Sequence, residues 1–241
     1  MNKIDHCASV SLCCSVTKTN GVTIQSVIEA ASLKAAAQLI KSRATGNTWK
    51  LGSDDVIIAP QLFKHLPPEA FPDDVSKISS LFWTMTNKFD MNECAEKGFW
   101  PLAKQVLETN RKSVVTSLQQ TPVTFSLFGT EGMPEMIMSL NGKRMSLFSF
   151  TNHGDCSWVN SCAQGEGHVK VTGVFSHVYQ SRPVGPVFGH FVSTISGRFF
   201  WNVNYSNDVM DETSAREHLQ ESMRILLEAC NPIENASEKN S

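Results

Sequence analysis

Nowhere in these 241 residues do apolar side chains run for the roughly 20 positions that a membrane-spanning helix needs. The N-terminal stretch MNKIDHCASVSLCCSV has one lysine, an early aspartate and only an interrupted apolar patch, so it does not read as a secretory signal. Basic clusters are scarce as well. The densest is Lys41–Arg43, and the formal net charge is −2, which disfavours a nucleic-acid footprint. Internal repeats, low-complexity tracts and a clear linker are missing, and so is a Gly-x-Ser-x-Gly nucleophile elbow. What remains is ordinary globular composition, 41 % hydrophobic and 18 % charged, in a chain long enough for a substantial core. The seven cysteines (7, 13, 14, 94, 156, 162 and 230) are odd in number and irregular in spacing. Reduced thiols and a cytoplasmic location are the expectation, with Cys13–Cys14 read as small strand residues.

Helical periodicity is clearest in GVTIQSVIEAASLKAAAQLIKSR, with Thr23 as N-cap and Val27, Ala31, Ala35 and Leu39 recurring beside Ile24, Ile28 and Ile40. DDVIIAPQLF reads as a strand whose Pro60 suggests an edge position or the strand's end, and KHLPPEAFPDD as a proline-punctuated connector. A second helix is expected over Gly98–Leu118, with Leu102, Val106, Val114 and Leu118 on one face and Pro101 in its first turn. PEMIMSL, Asn141–Gly142 and RMSLFSF form a hairpin signal, HVKVTGVFSHVYQ alternates like a half-buried strand, and GHFVSTISGRFFWNVNYS predicts a hairpin turning at Ser196–Gly197. The last helix spans about Glu212 to Cys230, capped by Asp211, with Leu219, Met223, Leu226 and Cys230 inward. Residues 1–231 therefore read as one unit, and 232–241 as a polar tail.

The stretch SFTNHGDCSWVNSC concentrates reactive side chains, and three readings of it stand side by side. His153, Cys156, Cys162 and His168 have the residue types of a zinc site, although their spacing does not form two paired knuckles. Cys156 or Ser157 with His153 and Asp155 would be a nucleophilic site, although catalytic partners usually converge from separate segments. The third reading is a strand-end turn at Asn152–Gly154, where Asn and Gly tolerate unusual backbone angles. The other histidines read as satisfied polar residues, His177 and His190 as potential neighbours, and Phe199, Phe200 and Trp201 as sheet packing.

In order and spacing, these pieces resemble the C-terminal lobe of the condensation and alcohol acetyltransferase-like acyltransferases, the superfamily with the chloramphenicol acetyltransferase-type fold. VTIQSVIEAA resembles the helix that begins the second half of those enzymes. LPPEAFPDD, then a variable helix, then FWPLAKQVLETNRKS resembles their matching region. RMSLFSFTNHGD resembles their strand end, with Asn152–Gly154 in the Asn-x-Gly position, and the segment from Phe191 to about Leu227 resembles the closing hairpin and helix. The resemblance implies an α/β fold, layered helices on a mixed, largely antiparallel sheet forming one such lobe. It implies acyl transfer from coenzyme A or a carrier thioester to a hydroxyl or amine, with Ser149, Asn152 and His153 lining the channel and no cofactor held.

That chemistry rests on a His-His-x-x-x-Asp-Gly motif whose second imidazole takes the acceptor's proton. None of the seven histidines here is followed by aspartate four positions on, and His65-x-x-x-Glu69 is the nearest approach. The expectation is therefore a lobe without its base and without a catalytic residue of its own, inactive alone. Its partners would be a missing N-terminal lobe or a second copy, together with small acyl donors and acceptors. Two alternatives remain: a non-catalytic module that binds an acyl ligand or a protein, and a small metalloprotein centred on His153, Cys156, Cys162 and His168.

Overall fold

The structure, a computed structural model, describes residues 16–43, 50–58, 82–127, 146–161, 170–176 and 185–230. Helix α1 (Ile24–Arg43) begins with a reciprocal cap. Thr23 Oγ1 accepts the Ser26 N–H at 3.2 Å, and Ser26 Oγ accepts the Thr23 N–H at 3.1 Å. Where the sequence suggested an apolar face, the helix is enclosed on all sides: every residue from Ser26 to Ala37 except Lys34 is buried. Small side chains let its neighbours approach from each direction.

Strand β1 (Lys50–Ile58) follows and pairs on both sides, so it is not the edge strand that Pro60 suggested, and Pro60 itself lies outside the described residues. In the described part of the region where the resemblance implied a variable helix, the chain forms strand β2 (Phe82–Asp90) and a short helix α2 (Met91–Glu96). Asp90 ends the strand by capping that helix, its carboxylate accepting the N–H groups of Asn92 at 3.0 Å and Glu93 at 3.1 Å. Lys34 closes the other end of α2, donating to the carbonyls of Ala95 (2.9 Å) and Lys97 (2.8 Å).

Helix α3 (Phe99–Leu127) buries Leu102, Ala103, Val106 and Leu107, and runs nine residues beyond the expected end at Leu118. Asn110 on α3 donates to the buried Glu29 of α1 at 2.9 Å and accepts from Asn87 of β2 at 2.7 Å, so the carboxylate inside the helix layer is hydrogen-bonded.

Strands β3 (Phe148–Asp155), β4 (Phe188–Ile195) and β5 (Arg198–Tyr205) complete a five-stranded sheet in the order β2-β1-β3-β4-β5. The two outer ladders are antiparallel with long registers, and the two inner ones, β1–β3 and β3–β4, are parallel. The sheet is thus mixed, as expected. β4 is buried along nearly its whole length, as a strand covered on both faces must be. Ser196 and Gly197 both have positive φ, 51° and 76°, and so make the primed turn that a two-residue hairpin favours. The hairpin signal at Asn141–Gly142 and the strand PEMIMSL lie outside the described residues. The described part of HVKVTGVFSHVYQ, residues 170–176, is irregular chain rather than a strand.

After the short helix α4 (Trp158–Ser161), helix α5 (Glu212–Cys230) packs against α1, which also contacts α2 and α3. Asp211 caps it, accepting the Ser214 N–H at 2.8 Å and the Ser214 hydroxyl at 2.9 Å. These bonds hold the Asp211 carboxyl below the usual carboxylate range. Replacing Asp211 with Ala is expected to cost about 1 kcal/mol of unfolding free energy in a urea titration, most of it restored by Asn. The buried stripe is Ala215, His218, Ser222, Ile225, Leu226 and Cys230, rotated from the expected one so that a histidine faces the core.

Candidate functional site

Because β1, β3 and β4 run parallel, their carboxyl ends reach the same edge of the sheet, the edge at which open α/β sheets bind ligands. The Asn152–Asp155 segment lies there, at the end of β3, where the β3–β4 register shifts. Gly154 takes a φ of 70°, and its N–H donates to Asn152 Oδ1 at 2.8 Å, closing a tight turn. The amide nitrogen of Asn152 has no protein partner among the described residues. His153 is exposed, its Nε2 3.0 Å from the Ser176 hydroxyl.

Asp155 accepts both the N–H (2.9 Å) and the hydroxyl (2.5 Å) of Ser157, which lowers its pKa. Ser157 Oγ in turn accepts the Ser196 N–H at 2.8 Å, and Asn160 bridges to Val171 and Ser196. The hydroxyls and amides of this stretch therefore tie the β3 end to the β4–β5 turn. Ser157 hydrogen-bonds Asp155 and not His153, so the nucleophile, base and orienting acid of the triad reading do not assemble. Among the described residues no three His, Cys, Asp or Glu side chains converge as metal ligands; Cys162 and His168 lie outside them. Of the three channel candidates, Asn152 and His153 sit together. Ser149, half-buried and three residues back, falls on the sheet face opposite Asn152 by strand alternation.

A second cluster lies in the core. His190 of β4 and His218 of α5 are fully buried with ring centroids 5.9 Å apart, and Phe148, Phe150 and Phe188 pack around them. Trp201 Nε1 donates to His190 Nδ1 at 3.1 Å, which fixes the proton of the neutral ring on Nε2. Among the described residues, that Nε2 and both nitrogens of His218 have no partner. Burial pushes His218 down to about 4, and burial together with the nearby His218 holds His190 well below 6.5. The expectation of satisfied polar histidines fails here, and His190 neighbours His218; His177 lies outside the described residues. The missed signal was present: His190 alternates with Phe188 and Val192, and His218 recurs with Ala215, Ser222 and Ile225 at helical spacing.

This layered arrangement recurs in solved structures. Trichothecene 15-O-acetyltransferase from Fusarium sporotrichioides superposes with a TM-score of 0.62 and 14 % identity, over 94 % of this chain and 46 % of its own. The epimerization domain from the third module of tyrocidine synthetase B gives 0.56 and 13 %, over 93 % of this chain and 46 % of its own. Polyketide synthase associated protein 5 from Mycobacterium tuberculosis gives 0.53 and 13 %, over 90 % and 47 %. The chain has the fold of an acyltransferase lobe. It spans about half the length of the solved structures it matches. It matches no protein-family model and no curated protein sequence.

In this acyltransferase-like lobe the aromatic side chains Trp158 and Phe175 are 66 % and 65 % exposed. Both belong to the segments tied to the β3 end through Asn160 and through the His153–Ser176 contact. Among the described residues, no helix is long and apolar enough to cross a membrane.

Proposed function

We propose that this chain works as the second lobe of a thioester-dependent acyltransferase, lining the channel for the acyl donor while a partner lobe supplies the base. The carrying observation is the superposition of 94 % of this chain on under half of an acetyltransferase. The end of β3 supports a binding role. Asn152 presents amide donors to a thioester carbonyl, and His153 presents an exposed imidazole beside it. No histidine of the sequence has the family's aspartate four positions on, so we assign the lobe no proton-transfer step and no activity alone. The exposed Trp158 and Phe175 support a covering partner, either an N-terminal lobe or a second copy. The free thiols of Cys94 and Cys156 support a reducing, cytoplasmic setting.

Two assays test this reading. Purified chain with acetyl-CoA and alcohol or amine acceptors is expected to release free thiol no faster than buffer, and sustained turnover would sink the assignment. Calorimetric titration with acetyl-CoA is expected to show binding that weakens about fivefold in Asn152→Ala, the size of one lost hydrogen bond. Wild-type protein that fails to bind acetyl-CoA, or binding indifferent to Asn152, would remove the channel from β3.

A further inference from the structure

Among the described residues, strand β5 is an outer strand of the sheet and pairs with β4 alone. In an antiparallel ladder, residues that bond the neighbouring strand alternate with residues whose N–H and C=O point away from it. The Ser206 N–H donates to the Val187 carbonyl at 2.9 Å, which places the even-numbered residues of β5 in the ladder with β4. The main-chain groups of Phe199, Trp201, Val203 and Tyr205 therefore face outward, and among the described residues nothing bonds them. Open edges of this kind are ordinarily blunted by lysine, proline or a bulge. The opposite edge, β2, carries Lys88. β5 has no lysine, no proline and no register shift, and Arg198 at its start is its only charge.

We infer that this edge docks β5 of a second copy of the chain, antiparallel about a two-fold axis at Asn202, so that one sheet runs through both copies. With Trp201 opposite Val203 and Phe199 opposite Tyr205, every outward N–H and C=O of both strands gains a partner, and any shifted register leaves some unmade. The side chains match in the same register. Phe199, Trp201, Val203 and Tyr205 all pack toward the helix layer, and there they form aromatic and aromatic–β-branched cross-strand pairs. At the axis two Asn202 amides meet, each both donor and acceptor. The antiparallel order sends the two Arg198 charges to opposite ends, each beside the turn of the other copy that carries Asp208. A strand with no charge between Phe199 and Tyr205 offers a charged peptide nothing to pair with, and a helix does not follow a row of main-chain groups two residues apart. The pairing is isologous, the commonest form of protein dimer, and does not depend on acyl transfer.

The test is the concentration dependence of assembly of the purified full chain, read by sedimentation velocity. The wild type is expected to pass from monomer to dimer between about 1 and 100 µM. Asn202→Lys and Asn202→Asp each set like charges against one another at the axis and are expected to weaken association about fivefold. An equimolar mixture of the two is expected to associate at least as tightly as the wild type. Val203→Pro removes an outward N–H and no bond to β4, a replacement that edge strands tolerate, and is expected to weaken association about thirtyfold, two hydrogen bonds per dimer. Should the variants not fold, amide exchange on the wild type decides. The N–H groups of Phe199, Trp201, Val203 and Tyr205 are expected to be protected in concentrated protein and to exchange freely on dilution, while those of Phe200, Asn202 and Asn204 stay protected in both. A wild type that remains monomeric, a dimer indifferent to Asn202 and Val203, a mixture no tighter than its components, or outward amides that exchange freely in the dimer would overturn the inference.

Discussion

Acidifying the protein from pH 7.5 to pH 5 is expected to remove about 2 kcal/mol of unfolding free energy through His218 alone, with His190 adding in the same direction. The sign follows from which state takes up the proton. Unfolded, each imidazole titrates near 6.5; folded, burial among Phe148, Phe150 and Phe188 keeps both neutral, His218 down to about 4. Between those values the unfolded chain binds protons that the native chain refuses, so stability falls with pH across that window and levels off below it. Above about pH 7.5 neither state is charged there and the curve is flat. The carboxylates with lowered pKa (Glu93, Asp155, Asp211 and Glu221) lose their contribution only at lower pH, so the upper window isolates the histidines. Urea titrations at half-unit intervals would show the slope, and His218→Phe should flatten much of it. A level profile between pH 7.5 and 5 would mean that both rings reach water in the native state.

Phe148→Ala is expected to cost about 3–5 kcal/mol, the range for deleting a fully buried phenylalanine. Its ring lies 5.4 Å from His218, 5.5 Å from His190, 5.8 Å from Phe150 and 5.9 Å from Phe188, centroid to centroid. No other described aromatic side chain touches all four. Since whole domains are stable by only about 5–15 kcal/mol, the variant should unfold at markedly lower urea concentration, and at pH 5 it should sit at the edge of folding. The two effects are coupled, because the space left by the ring lets water reach the imidazoles and the acid sensitivity should shrink in the variant. A cost under about 1 kcal/mol would show that the surroundings collapse into the gap and that the cluster is not tightly packed.

Local chemistry was legible wherever it is settled by neighbours in sequence. Thr23 and Asp211 cap the helices they were expected to cap, and Ser196–Gly197 turns the hairpin. What escaped was decided by distant partners. The parallel pairing of β1, β3 and β4 joins segments separated by helices and leaves no turn signature. Residues 170–176 alternate in composition, yet they are irregular chain, and the N–H and carbonyl of Val171 bond the side chain of Asn160. The strand β2 follows proline-rich chain, and Asp90, which ends it, is also the cap of α2. At the candidate site, the Asn-x-Gly turn was readable and the face of Ser149 was not, since only the register of β3 assigns it. His218 was misread because a polar residue on an amphipathic helix is ordinarily placed outward; here the apolar stripe runs through it.

The enclosure of α1 has a consequence for how sequences of this shape can diverge. An amphipathic surface helix has one side on which substitutions are almost free, but from Ser26 to Ala37 only Lys34 escapes full burial, and its ammonium caps α2. Growth at Ala30, Ala31, Ala35 or Ala37 would push a neighbouring element away, and shrinkage to glycine would weaken the helix itself. Substitution is thereby restrained along the length of α1, which holds the spacing of the elements around it.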